Sequence, residues 1–177
     1  MPTSDIANIA PILDEVYRVQ PERMIELGVG MGKYGVLCRE VLDGIYGRCR
    51  ADQWARHIYG MEIHEPYSNP AWGCYDAVTI CNFAEQEISG WDLVLMVDSL
   101  EHLEPAAGEA FLAHLVETNR HVIISVPNGP MPQDEAVFGN AHERHLTTYY
   151  GHEFNRYDPA ILHLGLCRIV SMKGKRV

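Results

Sequence analysis

Arg23-Met24-Ile25-Glu26-Leu27-Gly28-Val29-Gly30-Met31-Gly32-Lys33 is the stretch that decides the fold. Residues 23–27 read as a short buried strand, and Pro21 just ahead of them stops the segment before it. Three alternate glycines follow at once; with no Cβ in the way, such a turn reverses sharply and lets backbone approach a ligand. From Lys33 to Leu42 the residues Tyr34, Leu37 and Val41 share one helical face, so the unit is strand, glycine turn, helix. The spacing also discriminates between cofactors. A dinucleotide fingerprint starting at Gly28 needs glycine at position 33, where lysine stands. Gly30-Met31-Gly32-Lys33-Tyr34-Gly35 fits formally but begins two residues late, and Glu26 sets a carboxylate where an anionic pyrophosphate would lie. That carboxylate suits a ligand carrying an ammonium group and a sulfonium.

Outward from this unit the chain alternates strand and helix. Ile6, Ile9, Ile12, Leu13 and Val16 predict a leading amphipathic helix over 5–19, with Ser4 or Asp5 as its N-cap. Residues 43–57 read as an inserted loop carrying Trp54 and three arginines, Arg48, Arg50 and Arg56. Further strands are predicted over 57–63, 77–81, 91–97, 121–126 and 167–172, with a stub of helix at 66–72 and longer helices over 105–118 and 150–164. The pattern implies an α/β fold, a Rossmann-like three-layer sandwich on a mostly parallel sheet, whose ligands bind beyond the carboxyl ends of the strands.

Composition narrows the classes. A chain of 177 residues, 47% hydrophobic and 21% charged, has the size of one domain spanning 1–177. No apolar run approaches the roughly 20 residues of a membrane-spanning helix, and Met1-Pro2-Thr3-Ser4-Asp5 opens no secretory signal, so a soluble cytoplasmic protein with no membrane partner is expected. Five cysteines in no CxxC pairing point to neither a disulfide framework nor a zinc site. A formal charge of −10 repels phosphates and makes nucleic acid the less favoured partner.

Glu26-Leu27-Gly28-Val29-Gly30-Met31-Gly32 resembles the first motif of class I S-adenosylmethionine-dependent methyltransferases, and the resemblance extends over about residues 20–172. It implies that Glu26, Gly28, Gly30 and Gly32 hold the methionine end of the cofactor. By the same resemblance Glu62, ending the second strand, takes the ribose hydroxyls, while Asn82, Phe83 and Val97 line the adenosine. Asn82 stands where the family often has aspartate. The segment from Trp91 to Leu103, with its Asp98-Ser99-Leu100-Glu101-His102, is similar to the subgroup containing the ubiquinone-biosynthesis O-methyltransferases. One departure is expected: after the strand at 167–172 the sequence has no room for the family's final antiparallel strand. That leaves an open sheet edge for a homodimer or a protein partner to cover.

The sulfonium methyl is the electrophile, so the enzyme's task is to align an acceptor and handle its proton. His102, His142 and His145 are candidate bases, His102 and His145 the leading two. Asp98, Glu101 and His102 are spaced i, i+3 and i+4, on one face of a helical turn. With His145 from the loop after the fifth strand they resemble the metal site of small-RNA 2′-O-methyltransferases and would suit Mg²⁺ or Mn²⁺. The expected function is methyl transfer to a hydroxyl, amine or carboxyl group of a small molecule. RNA 2′-O-methylation and a cofactor-binding accessory subunit or pseudo-enzyme stand as alternatives.

Overall fold

Seven strands form the sheet: β1 (Arg23–Leu27), β2 (His57–Glu62), β3 (Ala77–Ile80), β4 (Leu93–Val97), β5 (His121–Pro127), β6 (Ala160–Leu164) and β7 (Cys167–Lys173). A computed structural model describes residues 3–134, 136–137 and 139–175. The strand order is β3-β2-β1-β4-β5-β7-β6. β1 pairs in parallel with β2 and β4, β2 with β3, and β4 with β5, while β7 runs antiparallel between β5 and β6.

Helices cover both faces. α1 (Ile9–Val19) and α2 (Lys33–Leu42) lie on one side, where Ile12, Val16, Cys38 and Leu42 pack on Met24, Ile58, Leu95 and Ile123. α3 (Pro105–Thr118) lies on the other, with Phe111, Leu112 and Leu115 against Ile25, Met96, Ile124 and Met172. β4 and β5 are buried at every position, which is why β4 reads as an unbroken apolar run and β5 as one interrupted only by Ser125 after His121, rather than as alternating strands. Each such leucine or isoleucine contributes about 1.5–3 kcal/mol by leaving water. At the leading end Asp5 is the cap: its carboxylate accepts from the Ala7 N–H at 2.7 Å and opens a 3₁₀ turn, Ile6–Asn8, that feeds α1.

Two expectations are corrected. Residues 150–164 are not one helix: a 3₁₀ segment, His152–Tyr157, is followed by β6. Asp158 takes a left-handed conformation at φ 49°, and Pro159 has no N–H to donate, so the helical path ends there despite the helical spacing of Phe154, Tyr157, Ile161 and Leu164. In consequence the final antiparallel strand is present. It is β7, hydrogen-bonded on both sides, so the open edge expected at residues 167–172 does not exist and the outer strand is β6.

The insertion after α2 is two 3₁₀ turns, Gly44–Tyr46 and Ala51–Gln53. Its arginines face the protein's own groups: Arg48 pairs with Asp43 at 2.6 Å and Arg50 with Asp52 at 3.0 Å, while Arg56 donates to Gln20. Among the described residues no helix is long and apolar enough to cross a membrane.

Candidate functional site

Strand order reverses between β1 and β4, and beyond the carboxyl ends there a cavity of about 370 Å³ opens, as open α/β sheets place their ligand sites. Its walls include Glu26, Gly28 and Gly30 from the first turn, Glu62 from β2, Asn82 and Phe83 after β3, and Val97 and Asp98 from the end of β4. Gly32 sits just behind as the N-cap of α2. The cofactor residues expected from sequence therefore surround one space.

The glycine turn is shaped by its neighbours. A Cβ on Gly28, whose φ is +84°, would stand 2.3 Å from Ser99 Oγ. Glu62, almost fully buried, accepts from the Gly30 N–H at 2.8 Å with one oxygen and from the His64 N–H at 2.9 Å with the other, locking the turn to β2. Glu26 is 1% exposed and accepts from the Tyr75 hydroxyl at 2.5 Å. Burial pushes the Glu26 carboxyl up to about 8, against the pull of the Tyr75 donor and with added repulsion from Glu62. Asn82 Oδ1 accepts from the Ala84 N–H at 3.1 Å, capping the turn that carries Phe83, and Phe83 packs on Phe111.

Above the cavity the N-terminal segment closes over α2. Thr3 and Ser4 line the wall, and Lys33 Nζ donates to the Ser4 carbonyl at 2.6 Å. Tyr67 donates to Glu143 at 2.8 Å, joining the segment after β2 to the loop after β5.

The turn after β4 brings together part of the expected metal set. Leu100–His102 is 3₁₀, and Asp98 ahead of it is left-handed at φ 48°, so the regular i, i+3, i+4 face does not form. The Asp98 carboxylate turns instead to Ser125, whose hydroxyl donates to it, and to Asn8 Nδ2 at 3.4 Å. Asp98 is thereby removed from the set. Glu101, His102 and His145 each offer a ligand atom within 4.8 Å of the other two. The loop 144–147 is stitched to this turn: Leu146 and Thr147 N–H donate to the Glu101 carbonyl, and Thr147 Oγ1 donates to that of Leu103. His102 Nδ1 lies 2.8 Å from the Arg144 carbonyl and His145 Nδ1 2.6 Å from that of Met131. A carbonyl only accepts, so Nδ1 carries a hydrogen in both rings, and in the neutral form of each ring the lone pair is on Nε2. Glu101 is 1% exposed, and its Oε2 has no hydrogen-bond partner. Burial, reinforced by the charge of Asp98, holds its carboxyl well above the usual range. His142 lines the cavity but stands outside this group.

Tyr75 is the site residue that sequence reading missed. Two signals pointed to it: Gly60 interrupts β2, and Gly35 sits on the buried face of α2. A Cβ at Gly35 would come within 2.1 Å of the Tyr75 ring, and one at Gly60 would meet Val29 Cγ2 at 2.4 Å and the ring at 3.3 Å.

Compared by sequence, the chain matches no protein-family model and no curated protein. Compared by structure, it resembles magnesium protoporphyrin IX methyltransferase from Synechocystis PCC 6803 with bound SAM, at TM-score 0.63 and 13% identity, over 96% of this chain and 79% of that one. It also resembles the N-terminal domain of EvdMO1 crystallised with SAH and D-fucose, at TM-score 0.64 and 15% identity, over 97% and 85%. A third neighbour is the methyltransferase domain of bacterial CtHen1-CN, at TM-score 0.57 and 14% identity, over 94% and 97%. The chain has the α/β fold of these methyltransferases, with its seven-stranded sheet.

Proposed function

We propose that this protein is an S-adenosylmethionine-dependent methyltransferase acting on a hydroxyl group of a small molecule. The observation that carries the reading is the pair of buried carboxylates, Glu26 and Glu62, at the ends of adjacent strands on either side of a glycine turn that a single Cβ would fill. An ammonium group and a ribose diol fit that pair because both bring hydrogen-bond donors, whereas a pyrophosphate brings only acceptors. Glu26 faces the methionine end and Glu62 the ribose, with the backbone of Gly28 and Gly30 close against the ligand. Phe83 and Val97 give the adenosine an apolar wall. When bound, the cofactor supplies an electrophilic methyl group, and the protein's part is alignment and proton handling.

His102 is the cavity-wall residue best placed to receive the acceptor's proton. Burial lowers its pKa, and with the Nδ1 hydrogen held by the Arg144 carbonyl its neutral ring offers the Nε2 lone pair. The donor set Glu101, His102 and His145 also fits Mg²⁺ or Mn²⁺: one carboxylate with an unpartnered buried oxygen and two imidazoles with fixed tautomers. A divalent ion held there would lower the pKa of an acceptor hydroxyl. RNA as acceptor is less well supported, because Lys33 is the one lysine or arginine among the described cavity residues and the inserted arginines are directed to the protein's own groups.

The test is transfer of labelled methyl from S-adenosylmethionine to a panel of phenols, aliphatic alcohols and a short RNA. Label on a hydroxyl compound supports the reading. Label on the RNA alone transfers the assignment to RNA, and label on neither, in a chain that binds the cofactor, makes it a binding module.

A further inference from the structure

Tyr75 lies outside every segment from which the sequence drew its site residues, at the end of the 3₁₀ turn Pro70–Cys74 just before β3. Its ring is 4% exposed and threads between α2 and β2 beneath the glycine turn. The hydroxyl makes two bonds there: it accepts from the Gly35 N–H at 3.0 Å and donates to Glu26 Oε2 at 2.5 Å. The ring fits because Gly35 lacks a side chain, for a Cβ there would stand 2.1 Å from it; a Cβ at Gly60 would meet Val29 Cγ2 at 2.4 Å and come within 3.3 Å of the ring. The backbone on either side is fixed by buried Arg39, whose guanidinium donates to the Cys74 carbonyl at 3.1 Å and to Asp76 at 3.0 Å. Asp76 in turn accepts from the Ile58 N–H at 2.7 Å. A glycine, an arginine and a strand edge thus converge on placing one phenol against one carboxylate.

That arrangement exceeds what packing needs. A phenylalanine would fill the same space, while among the described residues the hydroxyl is the one hydrogen-bond donor to a carboxylate that faces the ligand cavity. We propose that Tyr75 is a positioning residue for cofactor binding, its hydroxyl fixing the Glu26 carboxylate at the cavity wall and supporting its ionised form when the ligand's ammonium group arrives. The inference rests on the reading of this cavity as an S-adenosylmethionine site. The titratable groups facing Glu26 are Tyr75, then Lys33, Tyr34 and Cys38 from α2 and Glu62 from β2. Burial keeps the Tyr75 phenol far above its ordinary range, so it stays a donor at every working pH.

A cation arriving beside a protonated Glu26 drives its proton into solvent, so binding releases a proton below the pH at which the empty site ionises by itself. S-adenosylhomocysteine, which keeps the ammonium group, is titrated calorimetrically between pH 6 and 9 in two buffers of different ionisation enthalpy. The variants are wild type, Tyr75→Phe and the chain with 3,5-difluorotyrosine at position 75. Removing the hydroxyl is expected to weaken binding about tenfold, the usual order for losing a hydrogen bond to a charged group. It also moves the midpoint of proton release to higher pH, because the carboxylate has lost its donor. The fluorinated ring, a stronger donor of nearly the same shape, moves the midpoint to lower pH and keeps the inference testable if Tyr75→Phe does not fold. In a Glu26→Gln background the effect of Tyr75→Phe should largely vanish. Unchanged affinity and midpoints in folded variants, beside a wild type that binds, overturn the role of Tyr75 alone. A folded wild type that binds no S-adenosylhomocysteine overturns the cofactor reading and this inference together.

Discussion

The rings of His102 and His145 meet edge to face with centroids 5.1 Å apart, and each turns its Nδ1 to a backbone carbonyl. Beside them lies the unpartnered Oε2 of Glu101. Mn²⁺, followed by its paramagnetic resonance signal, is expected to bind the wild type and to lose affinity by a hundredfold order when His145→Ala or Glu101→Gln removes a ligand. Glu101→Gln mimics the protonated carboxyl, so it should cost the metal-free fold less than about 1 kcal/mol. Asp98→Asn should leave Mn²⁺ affinity as it is, since that carboxylate faces Ser125 and Asn8. Turnover that survives chelation, together with equal Mn²⁺ affinity in all four proteins, would remove the metal and leave His102 as the base.

Gly28→Ala tests the glycine turn. The new Cβ would meet Ser99 Oγ at 2.3 Å and Ser99 Cβ at 3.1 Å, in a backbone conformation at φ +84°. Left-handed strain alone costs about 1–2 kcal/mol, and the contact adds to it. The thermal midpoint should fall by roughly 5 °C or more, and S-adenosylhomocysteine affinity by at least about tenfold. Ser99→Ala in the same chain removes the Oγ contact but not the strain or the Cβ contact, so it should restore only part of the loss. Wild-type affinity in Gly28→Ala would show that the turn does not touch the ligand.

At the opposite end of the sheet Glu15 gathers three donors. The Arg18 guanidinium holds it at 2.6 and 2.7 Å, Ser171 donates at 2.5 Å and His121 lies at 3.1 Å. The Arg18 bond, against the cost of burial and with help from Ser171, holds the carboxyl down at about 2 in the folded chain. Unfolded, a glutamate titrates near about 4.3. The stabilisation is therefore complete above that value and is lost as pH falls from about 4.3 toward 2. Urea midpoints should show wild type more stable than Glu15→Gln at pH 6, with the gap narrowing steadily below pH 4. A gap independent of pH would mean that the charge of Glu15 is not what these donors recognise.

Much of this was legible in sequence where local pattern and burial agree. β1, the glycine turn and α2 could be read because Gly28, Gly30 and Gly32 punctuate a buried strand and an amphipathic helix. β4 and β5 could be read because both faces are covered, leaving apolar runs too short for helices. Reading failed where two periods competed. Phe154, Tyr157, Ile161 and Leu164 follow helical spacing, but Asp158-Pro159 breaks the path, and pairing with β7 then decides for a strand. Likewise the spacing of Asp98, Glu101 and His102 assumed a regular helical turn. A left-handed Asp98 and a 3₁₀ turn send its carboxylate elsewhere. Tyr75 was beyond local pattern altogether, since it reaches Glu26 across 49 residues of chain.

Calorimetric titration of the wild type and Glu62→Ala with the cofactor, its demethylated product and NAD tests most directly whether Glu26 and Glu62 flank a site for S-adenosylmethionine. Both sulfur nucleosides are expected to bind with micromolar affinity, about −8 kcal/mol. NAD is expected not to bind, and Glu62→Ala to lose about 1.5–3 kcal/mol, as for a charge-assisted hydrogen bond to the ribose. No heat from either sulfur nucleoside in a chain shown to be folded, or NAD binding as tightly as they do, would contradict it.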